Sequence, residues 1–320
     1  MHLRDIHSSE VMAVKRYLPP IGWALGMLVL ILDGRTAMAG AAAGLELCIR
    51  TLIPSLFPFF VLSMMLTNTL SGGGLLLAGI LGGYPVGAGN AAHAYRNGQL
   101  SREDAERMAV LCNCAGPSFL FGVLGPVLED PAASIALWLI YLLSVGALWM
   151  LLPKSKQTSC VRHHITLQQT LFLSIRAMAG VCGWVILFRL VLTILDRWIL
   201  WILPDCARVC VYGILELSNG CLSLTVLEPK MRFILAAGFI SFGGVCVFLQ
   251  TASVTEGLSM RYYFQGKMFQ TSFCMLLASL LAPGAVDPAV QVVLAAAAAG
   301  FARFLGISEK RSGNPVAVIV

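Results

Sequence analysis

Residues 108–128 read MAVLCNCAGPSFLFGVLGPVL, an uncharged run with Asn113 and the pair Gly116-Pro117 near its middle. A membrane crossing needs about 20 mostly apolar residues, so this run is long enough to span a bilayer. Proline removes a backbone donor, and carbonyls freed at membrane depth must face protein or water. The run therefore predicts a discontinuous helix near the membrane midplane, or else a plain proline kink packed against a neighbouring helix.

The rest of the chain also has the composition of a membrane protein. Of its 320 residues, 58 % are hydrophobic and 12 % are charged, about half of the roughly 25 % usual in soluble domains. So little charge cannot cover a soluble globule of this size, which excludes a soluble enzyme and a disordered chain. The net charge of +6 comes from single basic residues between apolar runs, which argues against nucleic-acid binding.

The longest uncharged run extends from Thr51 to Tyr95 and is too long for one crossing. Proline and glycine break it at several places, chiefly Pro54, Pro58, Gly72-Gly73-Gly74, Gly82-Gly83 and Pro85. Basic residues mark cytoplasmic loops, so Arg96 is expected inside and residues 33–50 outside. One crossing plus a re-entrant hairpin satisfies both the length and the two sides.

The basic residues also predict the organisation of the chain, with a cytoplasmic N-terminus. We expect an all-α polytopic membrane protein with about seven to nine membrane segments, some of them re-entrant or broken. The predicted parts are a cytoplasmic segment at 1–16, a single transmembrane domain at 17–306 (halves at about 17–153 and 165–306 around a cytoplasmic loop at 154–164) and a tail at 307–320. Residues 17–39 are either the first span or a signal peptide. The topology of residues 165–232 stays open, because charges interrupt that part.

Two groups of candidate residues lie in the first half. Tyr84, Pro85 and Gly87 open a helix after a Gly-Gly break, where glycine allows close backbone approach and proline suits a first turn. We regard these three as structural or gating candidates. Broken helices near the midplane form the binding sites of many transporters. The candidates for binding a substrate or an ion in this half are therefore Asn113, Gly116, Pro117 and Ser118.

The second half repeats this kind of feature. Glu216, a carboxylate in an apolar stretch, is a functional candidate by default. The alternatives are that a nearby arginine (Arg176, Arg189 or Arg208) neutralises it or that it lies at the membrane interface. The polar and glycine candidates of this half are Glu216, Ser218, Asn219, Gly220, Ser241, Gly243, Gly244 and Gln250. One interrupted polar segment in each half is the pattern of an inverted internal repeat.

Several segments in this order resemble the YlbJ-type sporulation integral membrane proteins. They are Gly44–Leu47, Leu52–Phe60, Gly83–Ala88, Glu106–Asn113, Gly116–Gly122, Glu216–Gly220 and Ser241–Gly244. That family belongs to the nucleoside recognition (Gate) domain group, which is similar in part to the concentrative nucleoside transporters. The resemblance implies an inner-membrane protein of an endospore-forming bacterium, needed for spore development and with its substrate unassigned.

Two functions follow as hypotheses. The first is a transporter of a small polar solute during sporulation, with Glu216 as the candidate group for coupling to an ion or a proton. The second is a non-transporting scaffold at the developing spore membrane. An enzyme is not expected, because the spans contain no GxSxG, HExxH or paired aspartates.

Under either hypothesis, we expect few partners. They are the lipid bilayer, a small solute and a coupling ion, with self-association as a further option and no nucleic acid. We expect no cofactor and no metal. The ten cysteines lack CxxC spacing, and Cys112 and Cys114 point about 200° apart on a helix.

Overall fold

The structure is a computed structural model that describes residues 24–69, 74–152, 166–282 and 286–312. The predicted segment 1–16 and the loop 154–164 lie outside these residues. All regular structure in the described part is helical, which confirms the all-α class. Residues 24–32 are helical, and the helices that follow are α1 (Gly34–Leu47), α2 (Ile53–Thr69), α3 (Gly74–Gly82), α4 (Val86–Arg96), α5 (Arg102–Cys112), α6 (Pro117–Phe119), α7 (Gly125–Leu128), α8 (Pro131–Leu151), α9 (Leu167–Trp198), α10 (Asp205–Leu215), α11 (Leu217–Ser223), α12 (Pro229–Phe242), α13 (Gly244–Val254), α14 (Met260–Leu281) and α15 (Pro288–Ser312).

Short irregular turns join some of these helices. The π-helical turns Cys48–Leu52 and Leu120–Leu124 make α1–α2 and α6–α7 continuous. The 3-10 turns Leu200–Ile202 and Leu224–Val226 follow α9 and α11. The last helix extends to Ser312, so the predicted tail at 307–320 begins within it.

Six helical stretches of the described chain are long and apolar enough to cross a membrane. They are Gly34–Leu66, Arg102–Leu128, Pro131–Leu151, Leu167–Trp198, Pro229–Val254 and Pro288–Leu305. Their outer surfaces expose large apolar side chains such as Leu139, Leu143 and Phe172, as lipid contact requires. The chain is a multi-pass membrane protein.

Contacts between helix ends define two faces of the bundle. Face A contains residues 97–101, which join α4 to α5, and Ser259 before α14. The Glu106 carboxylate, 7 % exposed in the first turns of α5, accepts a hydrogen bond from the Ser259 amide at 2.8 Å. Face B contains Glu129 after α7 and the start of α12. There the buried Arg232 donates to the Val127 carbonyl at 2.9 Å and lies 3.3 Å from the Glu129 carboxylate.

These contacts settle the side on which the start of α12 lies. Arg232 also donates to the carbonyls of Thr225 and Leu227, both at 3.2 Å. The end of the α10–α11 segment therefore lies at face B together with the acidic turn Glu129-Asp130. Arg232 is basic, yet it does not mark the opposite face, because Glu129 and three carbonyls engage its guanidinium.

Each half contains a re-entrant hairpin and a discontinuous helix, in the same order. The α3–α4 hairpin enters and leaves at face A, as the sequence predicts, and α5–α7 then crosses from A to B. The α10–α11 hairpin enters and leaves at face B, and α12–α13 crosses from B to A. The same order of elements thus recurs with the two faces exchanged, and an inverted repeat stays a prediction.

Helix α14 is 22 residues long, although it is less apolar than the six candidate spans. It packs antiparallel to α8, because Gly266 lies beside Leu148 and Gln270 beside Ser144. Farther along, the Cys274 thiol lies 4.0 Å from the Ile140 carbonyl. The described chain thus has six candidate crossings, and α14 and the two hairpins pack beside them.

Candidate functional site

Four breaks in the helices meet at the centre of the bundle: the tip Gly83–Pro85, residues 113–116, Glu216 and Gly243. In the first half, a side-chain carbon at Gly116 would lie 3.1 Å from the Leu81 carbonyl oxygen and 3.2 Å from the Gly83 nitrogen. In the second half, one at Gly244 would lie 3.1 Å from the Gly213 carbonyl oxygen. A side chain at either position would therefore crowd the backbone of the hairpin beside it, and the positive φ of Gly244 further favours glycine there.

Tyr84 connects the first tip to the discontinuous helix of the second half. Its hydroxyl donates to the Ile240 carbonyl at 2.8 Å, and its ring lies next to Gly243. The Ile240 carbonyl lies in the last turn of α12, where helical carbonyls lose their backbone partners. Tyr84 thus satisfies a carbonyl that the break in α12–α13 leaves free.

Lys267 satisfies a free carbonyl at the break in α5–α7. Pro117 has no amide hydrogen, so the Asn113 carbonyl cannot make its usual helical bond. The Lys267 amino group, on α14, lies 2.6 Å from that oxygen. On the other side of the break, the Ala115 amide donates to the Tyr141 hydroxyl at 2.8 Å. Side chains of α8 and α14 therefore replace the missing helical bonds, as burial in a membrane demands.

Lys267 is only 1 % exposed, and all of its polar partners are uncharged. Besides the Asn113 carbonyl, its amino group lies 2.9 Å from the Gln270 side-chain oxygen and 3.4 Å from the Tyr84 hydroxyl. The ring centres of Tyr84 and Tyr263 lie 5.1 and 5.8 Å away, close enough for cation–π attraction. It takes part in none of the ion pairs between described residues, which are Glu46–Arg50, Arg102–Glu106, Asp33–Arg197, Asp205–Arg208 and Glu129–Arg232.

Asn113 is fully buried and is only half satisfied. Its side-chain nitrogen donates to the Thr251 and Tyr263 hydroxyls, both at 2.8 Å. Its side-chain oxygen has no partner among the described residues, and neither has the hydroxyl of Ser118, on the other side of the break. Unsatisfied buried polar atoms are rare in proteins and often mark places where a ligand or water binds.

The polar groups at the tip of the second hairpin form hydrogen bonds with one another. The Glu216 carboxylate, 1 % exposed, accepts from the amides of Ser218 and Asn219 at 3.0 and 2.7 Å, and from the Asn219 side chain at 2.6 Å. It therefore caps α11. Arg189 donates to the Asn219 side-chain oxygen at 2.7 Å, so the arginine reaches Glu216 through an amide. No direct ion pair joins Arg189 and Glu216 in the described chain.

The remaining candidates serve packing or local bonds. A side chain at Gly87 would overlap the Cys112 carbonyl, and one at Gly220 would overlap the Gly213 backbone. The Ser241 hydroxyl donates to carbonyls of its own helix, including Gly238 at 3.1 Å. The side-chain amide of Gln250 lies 3.2 Å from the Cys246 sulfur. These contacts hold the helices together and leave Ser241 without a free hydroxyl hydrogen.

The structure thus brings together Tyr84, Asn113 and Gly243 from three different breaks. Lys267 is not among the residues that the sequence predicts for the site, because a lone lysine between two apolar runs is typical of the boundary of a span. Tyr263, Lys267 and Gln270 recur at helical spacing. A helix drawn through Lys267 would have revealed this polar face. No cluster of three or more metal-ligating side chains occurs in the described residues.

Comparison with known proteins gives one similarity. No protein-family model matches the chain, and no solved structure matches it. Over an alignment of 111 residues, the chain is 29 % identical to the sporulation integral membrane protein YlbJ of Bacillus subtilis (strain 168). The alignment covers 28 % of this chain and 27 % of that protein, or about a quarter of its length. The similarity supports a YlbJ-like membrane protein, while membership of the Gate domain group stays a prediction.

Proposed function

We propose that this chain is a transporter of a bacterial inner membrane and that it moves a small anionic solute through the site at the helix breaks. The observation that carries this proposal is Lys267, a buried lysine with uncharged partners only. A charged amino group inside a membrane is costly unless it is paired. A carboxylate on the solute would supply the missing negative charge.

The helix ends around the site favour the same sign of charge. The carbonyls at the ends of α5 and α12, where a helix is partly negative, are engaged by Lys267 and Tyr84. The amino-terminal end of α13, where a helix is partly positive, begins at Gly243 and has no side-chain cap. By contrast, a protein carboxylate, Glu216, occupies the start of α11. A solute carboxylate near α13 would have the same electrostatic environment.

The setting of this activity is proposed from the resemblance and the relative. A role in sporulation and likeness to the Gate group and the concentrative nucleoside transporters are consistent with the predicted inverted repeat. Face A, which is richer in basic residues, would be cytoplasmic, as would the N-terminus. We propose no enzymatic activity. A non-transporting scaffold remains the alternative, which predicts tolerance of changes at the site and sensitivity in the cytoplasmic segments.

A screen in proteoliposomes tests the proposal. The purified chain would be offered radiolabelled lactate, glycerate, succinate and malonate, with neutral uridine and cationic choline for comparison. At least one carboxylate should accumulate well above protein-free vesicles. Lys267→Gln should lower its uptake by about tenfold or more, because loss of a buried charged partner costs about 2–5 kcal/mol. Lys230→Gln, near face B, is the matched control and should resemble wild type.

Three outcomes would contradict the proposal. Uptake of uridine alone would move the substrate class to nucleosides. Carboxylate uptake that survives in Lys267→Gln would remove the lysine from the site. Absence of any uptake, together with stoichiometric co-purification of other proteins, would favour the scaffold.

A further inference from the structure

The contacts of Lys267 are those of a charged ammonium group, which has three N–H donors and no acceptor. Three oxygen atoms of the described chain surround the nitrogen and form an oxygen cage: the Asn113 carbonyl at 2.6 Å, the Gln270 side chain at 2.9 Å and the Tyr84 hydroxyl at 3.4 Å. The rings of Tyr84 and Tyr263 add two aromatic faces, with centres 5.1 and 5.8 Å away. Lys267 therefore places a fixed positive charge at the break in α5–α7.

The oxygen atoms of this cage are held in place by bonds of their own. The Tyr84 hydroxyl donates its hydrogen to the Ile240 carbonyl at 2.8 Å, so it offers the cage a lone pair. The Gln270 amide donates to the Ser144 hydroxyl at 3.2 Å, and that hydroxyl donates to a carbonyl of its own helix at 2.6 Å. The Gln270 oxygen is thereby turned toward the Lys267 nitrogen. We therefore expect the cage to keep its three acceptors when the lysine side chain is removed.

The position of this cage is one at which transporters commonly bind a coupling ion. Carbonyls at the carboxyl-terminal end of a half-helix carry partial negative charge, and in many transporters they coordinate the cation that accompanies the solute. Asn113 directly follows Cys112, the last residue of α5, so its carbonyl lies at such an end. Here the cation at that carbonyl belongs to a side chain of α14. A tethered cation cannot enter or leave with the solute.

We infer that the Lys267 ammonium takes the place of a coupling cation, so that the site works without Na⁺ or K⁺. The inference rests on the proposed function and names the ion requirement of the same site. The charge on α14 attracts an anionic solute at every step of transport, with no free cation needed to balance it. Carbonyl and hydroxyl oxygens also bind Na⁺ and K⁺, so the cage should accept a free cation once the lysine side chain is absent.

The first measurement uses the wild-type chain in proteoliposomes. Exchange of a labelled carboxylate that moves in the screen is followed with identical solutions on both sides. These contain the chloride of Na⁺, K⁺ or N-methyl-D-glucamine at one concentration, and the last of these cations is too large for the cage. The exchange rate should be the same in all three.

The second measurement uses Lys267→Ala, which empties the cage and should make exchange depend on an added cation. In N-methyl-D-glucamine its rate should fall about tenfold or more, because a buried charged partner is lost. Propylammonium, the part of lysine that this substitution removes, should restore most of the rate, and Na⁺ or K⁺ should restore some of it. Lys267→Met is the matched control, because its uncharged side chain fills the same space. None of these cations should restore its exchange.

Thermal unfolding in detergent gives a readout that does not depend on transport. Lys267→Ala should melt at higher temperature as the propylammonium concentration rises, since a ligand that binds only the folded state stabilises it. Tetramethylammonium has no N–H donor and should not have this effect. Wild type and Lys267→Met should respond to neither cation.

The two proposals fail in different ways. Wild-type exchange that requires Na⁺ or K⁺ would overturn the inference alone. The same follows if Lys267→Ala gains neither exchange nor stability from propylammonium, Na⁺ or K⁺, or if Lys267→Met gains as much as Lys267→Ala does. If no carboxylate moves through the wild-type protein in any of the three solutions, the proposed function fails and the inference with it.

Discussion

At the tip of the α3–α4 hairpin the polar side chain crosses to the other half of the molecule, whereas at the tip of the α10–α11 hairpin it turns back on its own helix. Tyr84 donates to Ile240 and contacts Lys267, each more than 150 positions away along the chain. Glu216 bonds to residues two and three positions away. The two hairpin tips therefore have different structural roles. The first tip joins the halves and the second completes a hairpin.

The two tips also differ in where their glycines pack. Gly87 packs against Cys112 on α5, which is the discontinuous helix of the same half. Gly220 packs against Gly213 on α10, which is the other helix of its own hairpin. The first hairpin thus depends on its neighbour, while the second depends on internal packing. Three predictions test this contrast.

The largest effect is expected from Gly87→Ala and Gly220→Ala. Each added methyl group would overlap backbone atoms, which cannot move as a flexible side chain can. Overpacking of this kind costs about 1–3 kcal/mol, so both variants should melt at lower temperature and give less monodisperse protein. The measurement is thermal unfolding in detergent. Gly183→Ala on α9, where an added methyl group meets nothing within 4 Å, is the control. Melting of either variant at the control's temperature would contradict the packing argument.

An intermediate effect is expected from Tyr84→Phe and Glu216→Gln, each combined with Lys267→Met. Tyr84 contacts Lys267, so their combined effects on the free energy of unfolding should deviate from additivity by about 0.5–3 kcal/mol. Glu216 has no contact with Lys267 in the described chain, so that pair should be additive within about 0.5 kcal/mol. The double-mutant cycles are measured by thermal unfolding. Coupling of Glu216 to Lys267 as strong as that of Tyr84 would remove the distinction between the tips.

The smallest and most local effect is expected at the two faces. Glu106→Ala removes the acceptor of the Ser259 amide at face A, and Arg232→Ala frees three carbonyls at face B. One protein hydrogen bond contributes about 1 kcal/mol net, so amide exchange should become severalfold faster near the altered contact. Hydrogen–deuterium exchange of residues 255–259 and 225–229 measures this. Each variant serves as the control for the other, and faster exchange at both faces in either one would show that the contacts are not independent.

Much of the fold could be predicted from the sequence, because helix breaks and membrane runs depend on nearby residues. Pro117 and Gly116 predict a break in any packing, since the missing amide and the weak helix propensity are local properties. The re-entrant hairpin before Arg96 follows from length and charge. The start of α12 could not be assigned to a face, because Arg232 is engaged by Glu129, about a hundred positions earlier.

The candidate site was predicted only in part. Asn113 and Tyr84 do meet at the centre, but Glu216 proves to be a helix cap, and its coupling role stays a prediction. Lys267 could not be predicted, because the local sequence around a lysine next to an apolar run is the same whether the lysine lies at the membrane surface or between helices. Its burial depends on α14 packing against α5, α8 and α12, which no local pattern reports.

The sequence by itself determined that the chain is a membrane protein, that its helices are interrupted, and which residues interrupt them. Those properties follow from the free-energy cost of exposing polar groups to lipid. The residues within each run of about 20 determine that cost, so it can be judged from the local sequence. Only the tertiary structure decided that Tyr84, Asn113 and Lys267 share one set of hydrogen bonds. The reason is that a carbonyl freed at a break can be satisfied by any donor within reach, and the antiparallel packing of the two halves brought Lys267 there from 154 positions away.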